Sequence, residues 1–184
     1  MSSSFVIRPY LAADCARLIA VIDQVCAGSR FMATRRFEPT PAWGHALRQP
    51  ACPCHLLLVA AFGPRVIGWC RLFPTPVSAN GPTADLGIGV AAPDRGRGVG
   101  SALLRGALRW ARSQGLSAIT LTTHPDNEGA IRFFRRHGFT ILPAADANAL
   151  PMRWIAQPLP DLIPVAHRSP GGEEVTGLSL LHAS

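Results

Sequence analysis

The chain has 184 residues, a formal charge of +7 and 48% hydrophobic against 16% charged residues, which describes a folding chain of about one domain. All 18 basic side chains are arginine. The lack of lysine excludes Schiff-base chemistry, the Walker phosphate loop and protein-kinase catalysis, each of which needs that amine.

In chain order, Phe5–Arg8 reads as a first strand, and Asp14 opens a helical pattern with Leu18, Ile22 and Val25 on one face and Gly28 as its stop. Residues 29–40 read as a loop. Pro39-Thr40-Pro41 suits a helix start, so a second helix is predicted over about 42–49. His55–Phe62 and Val66–Phe73 are apolar strands joined at Gly63-Pro64 into a hairpin. Thr83–Ala91 is a further strand. Its Gly87 and Gly89 signal either a bulge or something lying close against the backbone.

A helix over about 98–113 follows, with Leu103, Leu104, Ala107, Leu108 and Ala111 facing a core and Arg105, Arg109 and Arg112 opposite. Then come a strand over Ser117–Thr122, a helix capped at 126–128 and running to His137, and two last strands at Phe139–Leu142 and Met152–Ala156. From Pro158 the prolines and glycines leave little room for regular structure. The expected organisation is one mixed α+β domain over residues 1–157 and a mobile tail over 158–184.

Between strand and helix lies Ala91-Ala92-Pro93-Asp94-Arg95-Gly96-Arg97-Gly98-Val99-Gly100-Ser101. Amides at a helix start have no intrahelical partner, point outward together and favour an anion. Glycines at 96, 98 and 100 remove the Cβ atoms that would hold a phosphate away, so a pyrophosphate is the expected guest. The dinucleotide fingerprint does not fit, because Ser101 stands at its third glycine and no acid lies between Asp94 and Asp126.

Two stretches carry a family resemblance. Arg95-Gly-Arg-Gly98-Val-Gly100 has the R/Q-x-x-G-x-G/A form of the GCN5-related N-acetyltransferases (GNAT). Asn127-Glu-Gly-Ala130-Ile-Arg-Phe133-Phe134-Arg-Arg-His-Gly138-Phe139 is similar to that family's second signature. The opening Ile7-Arg8-Pro9 with Asp14 resembles its usual start, so the likeness runs over about residues 5–156.

The resemblance implies a GNAT-like mixed sheet of six to seven strands flanked by about four helices. It implies acetyl-CoA as donor and a small-molecule or peptide amine as acceptor. The pantetheine would lie against Val90, Ala91 and Ala92, and the pyrophosphate against Arg95, Gly96, Arg97, Gly98, Val99, Gly100 and Ser101. Asn127 would touch the cofactor, act as a plain helix cap, or do both. The usual acid for the leaving thiolate is a tyrosine whose place Phe134 takes. Asp85 is the first candidate for the base, through water, and His124 the second. Arg30, Phe31, Met32 and Arg35, with Trp43 and Trp69, are the candidates for the acceptor wall, and an Arg30/Arg35 pair would suit a carboxylate. An acyl-CoA-binding module without turnover is the alternative.

Five cysteines and no apolar leader point to a reduced, cytoplasmic setting. The chain is read as a monomer or homodimer. Neither membrane nor nucleic acid is expected as a partner, since the arginines form no long run and no base-stacking signature appears. Cys52-Pro-Cys54-His55 is too few ligands for a tetrahedral metal, so no metal is expected.

Overall fold

A computed structural model describes residues 5–31, 34–76, 81–144 and 146–156. Met32 and the tail over 158–184 lie outside the described residues. Seven strands form one sheet: β1 (Val6–Pro9), β2 (Leu56–Phe62), β3 (Arg65–Pro74), β4 (Thr83–Val90), β5 (Ala118–Thr123), β6 (Thr140–Ile141) and β7 (Leu150–Ile155). Four α-helices accompany them: α1 (Cys15–Ala27), α2 (Pro41–Arg48), α3 (Val99–Ser113) and α4 (Glu128–Arg136). The strand order is β1-β2-β3-β4-β5-β7-β6. All neighbours are antiparallel except β4 and β5.

Alternation along the central strands sends side chains to two cores. Leu72, Leu86, Leu103, Leu104, Ile119, Phe134 and Phe139 pack under α3 and α4, while Leu18, Ile22, Trp43, Trp69 and Phe73 pack under α1 and α2. Every residue of the predicted α3 stripe is buried. Asp14 opens α1 as the sequence reading has it, standing at the N-cap. It lies in a 3-10 turn (Ala12–Asp14) ahead of α1 and is only 1% exposed. Its carboxylate accepts from Arg8 Nη1 at 2.6 Å, Arg8 Nη2 at 2.9 Å, the Leu11 amide at 3.0 Å and Arg17 Nη2 at 3.2 Å. That set ties β1 to the start of α1.

Gly87 and Gly89 do not mark a bulge. The β3–β4 register runs unbroken from Gly68 opposite Val90 to Pro74 opposite Ala84. The two glycines make room for side chains of β3. A Cβ on Gly89 would stand 2.1 Å from Cη2 of Trp69, the residue directly opposite, and one on Gly87 would stand 2.7 Å from Nε of Arg71. The register shift in this sheet lies between Ala60 and Ala61 on β2.

Candidate active site

β4 and β5 are paired over three positions, from Thr83 opposite Ala118 to Asp85 opposite Thr120. Both strands continue past that point, β4 to Val90 and β5 to Thr123, without pairing further. The sheet therefore opens at their C-terminal ends. Ala91 donates its amide to the Ile67 carbonyl and Thr83 accepts from the Thr75 amide, so the odd-numbered residues of β4 bond toward β3. The even-numbered ones turn the other way. Ile88 and Val90 consequently aim their N–H groups into the opening. The Val90 carbonyl faces it too and accepts from Arg95 Nε at 3.0 Å. Ala91 and Ala92 are spent on the turn that follows, where their carbonyls accept from the Asp94 and Arg95 amides.

That turn delivers the chain to α3. Gly96 and Gly98 have φ of +73° and +81°, the left-handed region that favours glycine, and a Cβ on either would meet nothing within 4 Å. The first helical bond is from Ala102 N–H to the Gly98 carbonyl, so the amides of Gly98, Val99, Gly100 and Ser101 remain free of intrahelical partners. Gly100 faces Phe133 of α4, 3.5 Å from where its Cβ would be. The two basic side chains of the turn are occupied. Arg97 Nη1 donates to buried Asp94 at 3.0 Å, which also takes Arg65 at 3.5 Å, and Arg95 holds the Val90 carbonyl. Positive potential here thus comes from amides and from arginines already clamped to the frame.

On the α1–α2 face of the sheet, Asp85 accepts from Arg71 Nη1 at 2.7 Å. Arg71 reaches it by lying over Gly87, with its guanidinium 4.6 Å from the Phe73 ring centroid and 5.9 Å from that of Trp43. Arg71 is the site residue that sequence reading missed. Its only signal was a glycine on the neighbouring strand, legible once the register is known.

His124 follows β5, and its Nδ1 accepts from the Asp126 amide at 3.1 Å, which leaves the Nε2 as the protonated nitrogen of the neutral ring. Phe31, from the loop after α1, stacks 5.5 Å from His124, and the Arg30 guanidinium lies 4.8 Å over Phe31. The loop of the first helix thereby meets the end of β5. Arg35 is exposed, and no contact among the described residues joins it to Arg30. Trp43 and Trp69 are buried beneath this face.

Asn127 caps α4, its Oδ1 accepting from the Ala130 amide at 3.2 Å. Phe134 and Phe139 are core residues, whereas Phe133 is half-buried beside the glycine turn. His137 sits at the end of α4 with Nδ1 2.8 Å from the Phe133 carbonyl. Tyr10 is buried and its hydroxyl is pushed up to about 12 by that burial, with the Cys15 thiol beside it, so it is no stand-in for the missing tyrosine.

Sequence comparison meets this geometry at the same residues. The model of the acetyltransferase (GNAT) family matches residues 22–139, more than half of the chain, from the middle of α1 to just past the end of α4. The chain belongs to the acetyltransferase (GNAT) family. Mycothiol acetyltransferase of Pseudarthrobacter chlorophenolicus is 34% identical over 90 residues, 48% of this chain and 28% of that protein. The chain spans less than a third of the length of the curated relatives it matches. Among solved structures, a GNAT-family acetyltransferase from Streptococcus pneumoniae superposes with a TM-score of 0.71 at 21% identity, covering 83% of this chain and 100% of that one. The yncA protein of Salmonella typhimurium, solved with its cofactor acetyl-CoA, gives 0.69 at 18% identity over 87% of this chain and 99% of its own. These likenesses show that the opened mixed sheet is the GNAT fold. No helix among the described residues of this GNAT chain is long and apolar enough to cross a membrane.

Proposed function

We propose that this chain is an N-acetyltransferase that moves an acetyl group from acetyl-CoA to a primary amine within a ternary complex. One observation carries the proposal. The Val90 N–H, the unpartnered amides of 98–101 and two bare glycines border one opening in the sheet. A pantetheine arm can extend β4 as an added strand there, with its pyrophosphate on the α3 amides. The residues present fit that group, because the turn is open where side chains at Gly96 and Gly98 would stand. Acetyl-CoA supplies an activated thioester.

The chain's own residues do the rest. Val90 N–H stands where a developing oxyanion is stabilised. Holding amine and thioester together in the opening supplies a large share of the rate. Asp85 takes the proton of the attacking amine through water, with Arg71 fixing the carboxylate in place. His124, which presents Nε2–H, donates a hydrogen bond toward the leaving thiolate, and water supplies the proton that Phe134 cannot. Arg30 and Phe31 form the acceptor wall on the α1 side and place a cation there, which suits an acceptor that carries a carboxylate. Arg35 belongs to the same loop. Residues 1–157 would constitute the catalytic domain, working in the cytoplasm.

The second reading, an acyl-CoA binder without turnover, is favoured by two observations: Phe134 is sealed in the core, and Asp85 is already held by Arg71. Two measurements separate the readings. At a hundredfold excess over Kd, acetyl-CoA should stabilise the fold by about 2.7 kcal/mol, or roughly 5–10 °C in melting temperature. A flat melting curve removes both. Thiol release from acetyl-CoA across a panel of amines then distinguishes enzyme from binder. Asp85→Asn should lower turnover by about a hundredfold, most steeply at low pH where less of the amine is neutral. A variant with wild-type turnover at every pH would make Asp85 structural.

A further inference from the structure

The Cys52-Pro-Cys54-His55 run lacks a fourth ligand in sequence, and the fold supplies it. α2 carries His45 in its second turn, the chain doubles back over residues 49–54, and β2 begins just beyond His55. Cys54 Sγ lies 3.4 Å from His45 Nε2 and 3.4 Å from His55 Nδ1. Cys52 Sγ accepts from the Cys54 amide at 3.4 Å. One ligand atom from each of the four residues can be chosen so that all lie within 4.8 Å of one another. Zinc–sulfur bonds of about 2.3 Å and zinc–nitrogen bonds of about 2.0–2.1 Å give a tetrahedron with edges of about 3.3–3.8 Å. Both sulfur–nitrogen separations at Cys54 already have that length.

We propose that His45, Cys52, Cys54 and His55 hold one Zn(II) ion in a closed Cys2His2 site that ties α2 to the start of β2. The donor set decides the metal class. Two thiols and two imidazoles suit zinc, whereas magnesium and calcium need oxygen ligands, and among the described residues no carboxylate joins the cluster. Four protein ligands leave no open position, so the ion is structural and activates no water.

His55 adds an independent argument. It is 5% exposed, its ring stands edge-on to His45 at 5.4 Å and to Phe73 at 6.2 Å, and its Nε2 has no hydrogen-bond partner among the described residues. Its other nitrogen, Nδ1, faces the Cys54 thiol, so the buried ring is held with a ligand atom turned into the cluster. Entry is open from outside, since Cys54 is exposed. The site also bears on the acceptor face. α2 carries Trp43, whose ring stands edge-on to Phe73 at 5.2 Å and lies under the Arg71 guanidinium, so a fixed α2 holds the floor beneath the Arg71–Asp85 pair.

The test uses the full chain, reduced, stripped with a chelator and titrated with Zn(II) or Co(II) alone. We expect one equivalent bound, the intense visible bands of tetrahedral cobalt with thiolate-to-cobalt charge transfer, and a melting temperature about 5–10 °C higher at a hundredfold excess of zinc over Kd. Cys52→Ser/Cys54→Ser should lose the charge-transfer band and the zinc-induced shift. Should that variant fail to fold, His45→Gln and Cys54→Ser alone, each keeping three ligands, should weaken zinc at least about tenfold. No uptake by the reduced wild type, an octahedral cobalt spectrum, or uptake unchanged in the serine variants would overturn the site. None of these readouts depends on acyl transfer.

Discussion

Single atoms decide several features of this molecule. Gly89 and Gly98 are both glycines of the same strand–turn–helix unit, yet they are glycine for opposite reasons. Gly89 has ordinary backbone and no space, with the Trp69 ring 2.1 Å from an added Cβ; Gly98 has open space and a φ of +81°. Gly89→Ala should therefore destabilise the fold by about 1–3 kcal/mol through overpacking, read as a lower urea midpoint. Gly98→Val should cost only about 1–2 kcal/mol of left-handed strain but weaken acetyl-CoA at least tenfold by calorimetry, because its side chain fills the phosphate cradle. Retained affinity would contradict the cradle. Asp14 is a third case. Arg8 beside it holds its carboxyl well below the usual range against the opposing effect of burial. Since the folded value is depressed, the stabilisation is whole well above the unfolded value of about 3.9, starts to fall there, and is lost only as pH drops through the depressed folded value. Asp14→Asn should cost about 2 kcal/mol at pH 7. The gap between variant and wild-type urea midpoints should begin to narrow below about pH 4 and go on narrowing as pH falls further.

At the scale of elements, the parting of β4 from β5 does what no residue does alone. A strand bonded on one side presents its other edge to a ligand. Hydrogen exchange should show this directly. The amides of Ile88 and Val90 should exchange faster than those of Gly87 and Gly89, which are bonded to β3, and acetyl-CoA should slow Val90 and residues 98–101 together. Protection confined to other segments would place the nucleotide elsewhere. Most of these elements were legible in the sequence. The α3 stripe and the hairpin at Gly63-Pro64 follow from periodicity and turn chemistry, which are local. The parting of the strands was not legible, because residues 86–90 have the apolar alternation of any paired strand.

Across the whole molecule, two cores on opposite faces of one sheet keep the cofactor edge and the acceptor face apart. Phe134 belongs to the core under α3 and α4, whereas Asp85, Arg71 and Trp43 gather on the other side. The glycine turn, the cap at Asn127 and the family signatures were determined by the sequence alone, because each is a run of neighbours whose backbone demands are local. Which side chains meet was decided only by the tertiary structure. Arg71 with Asp85, Phe31 with His124 and His45 with Cys54 are separated by 14, 93 and 9 positions respectively. Contacts of that kind depend on strand register and helix placement, which are set by burial across the entire sheet and leave no periodic mark in the chain.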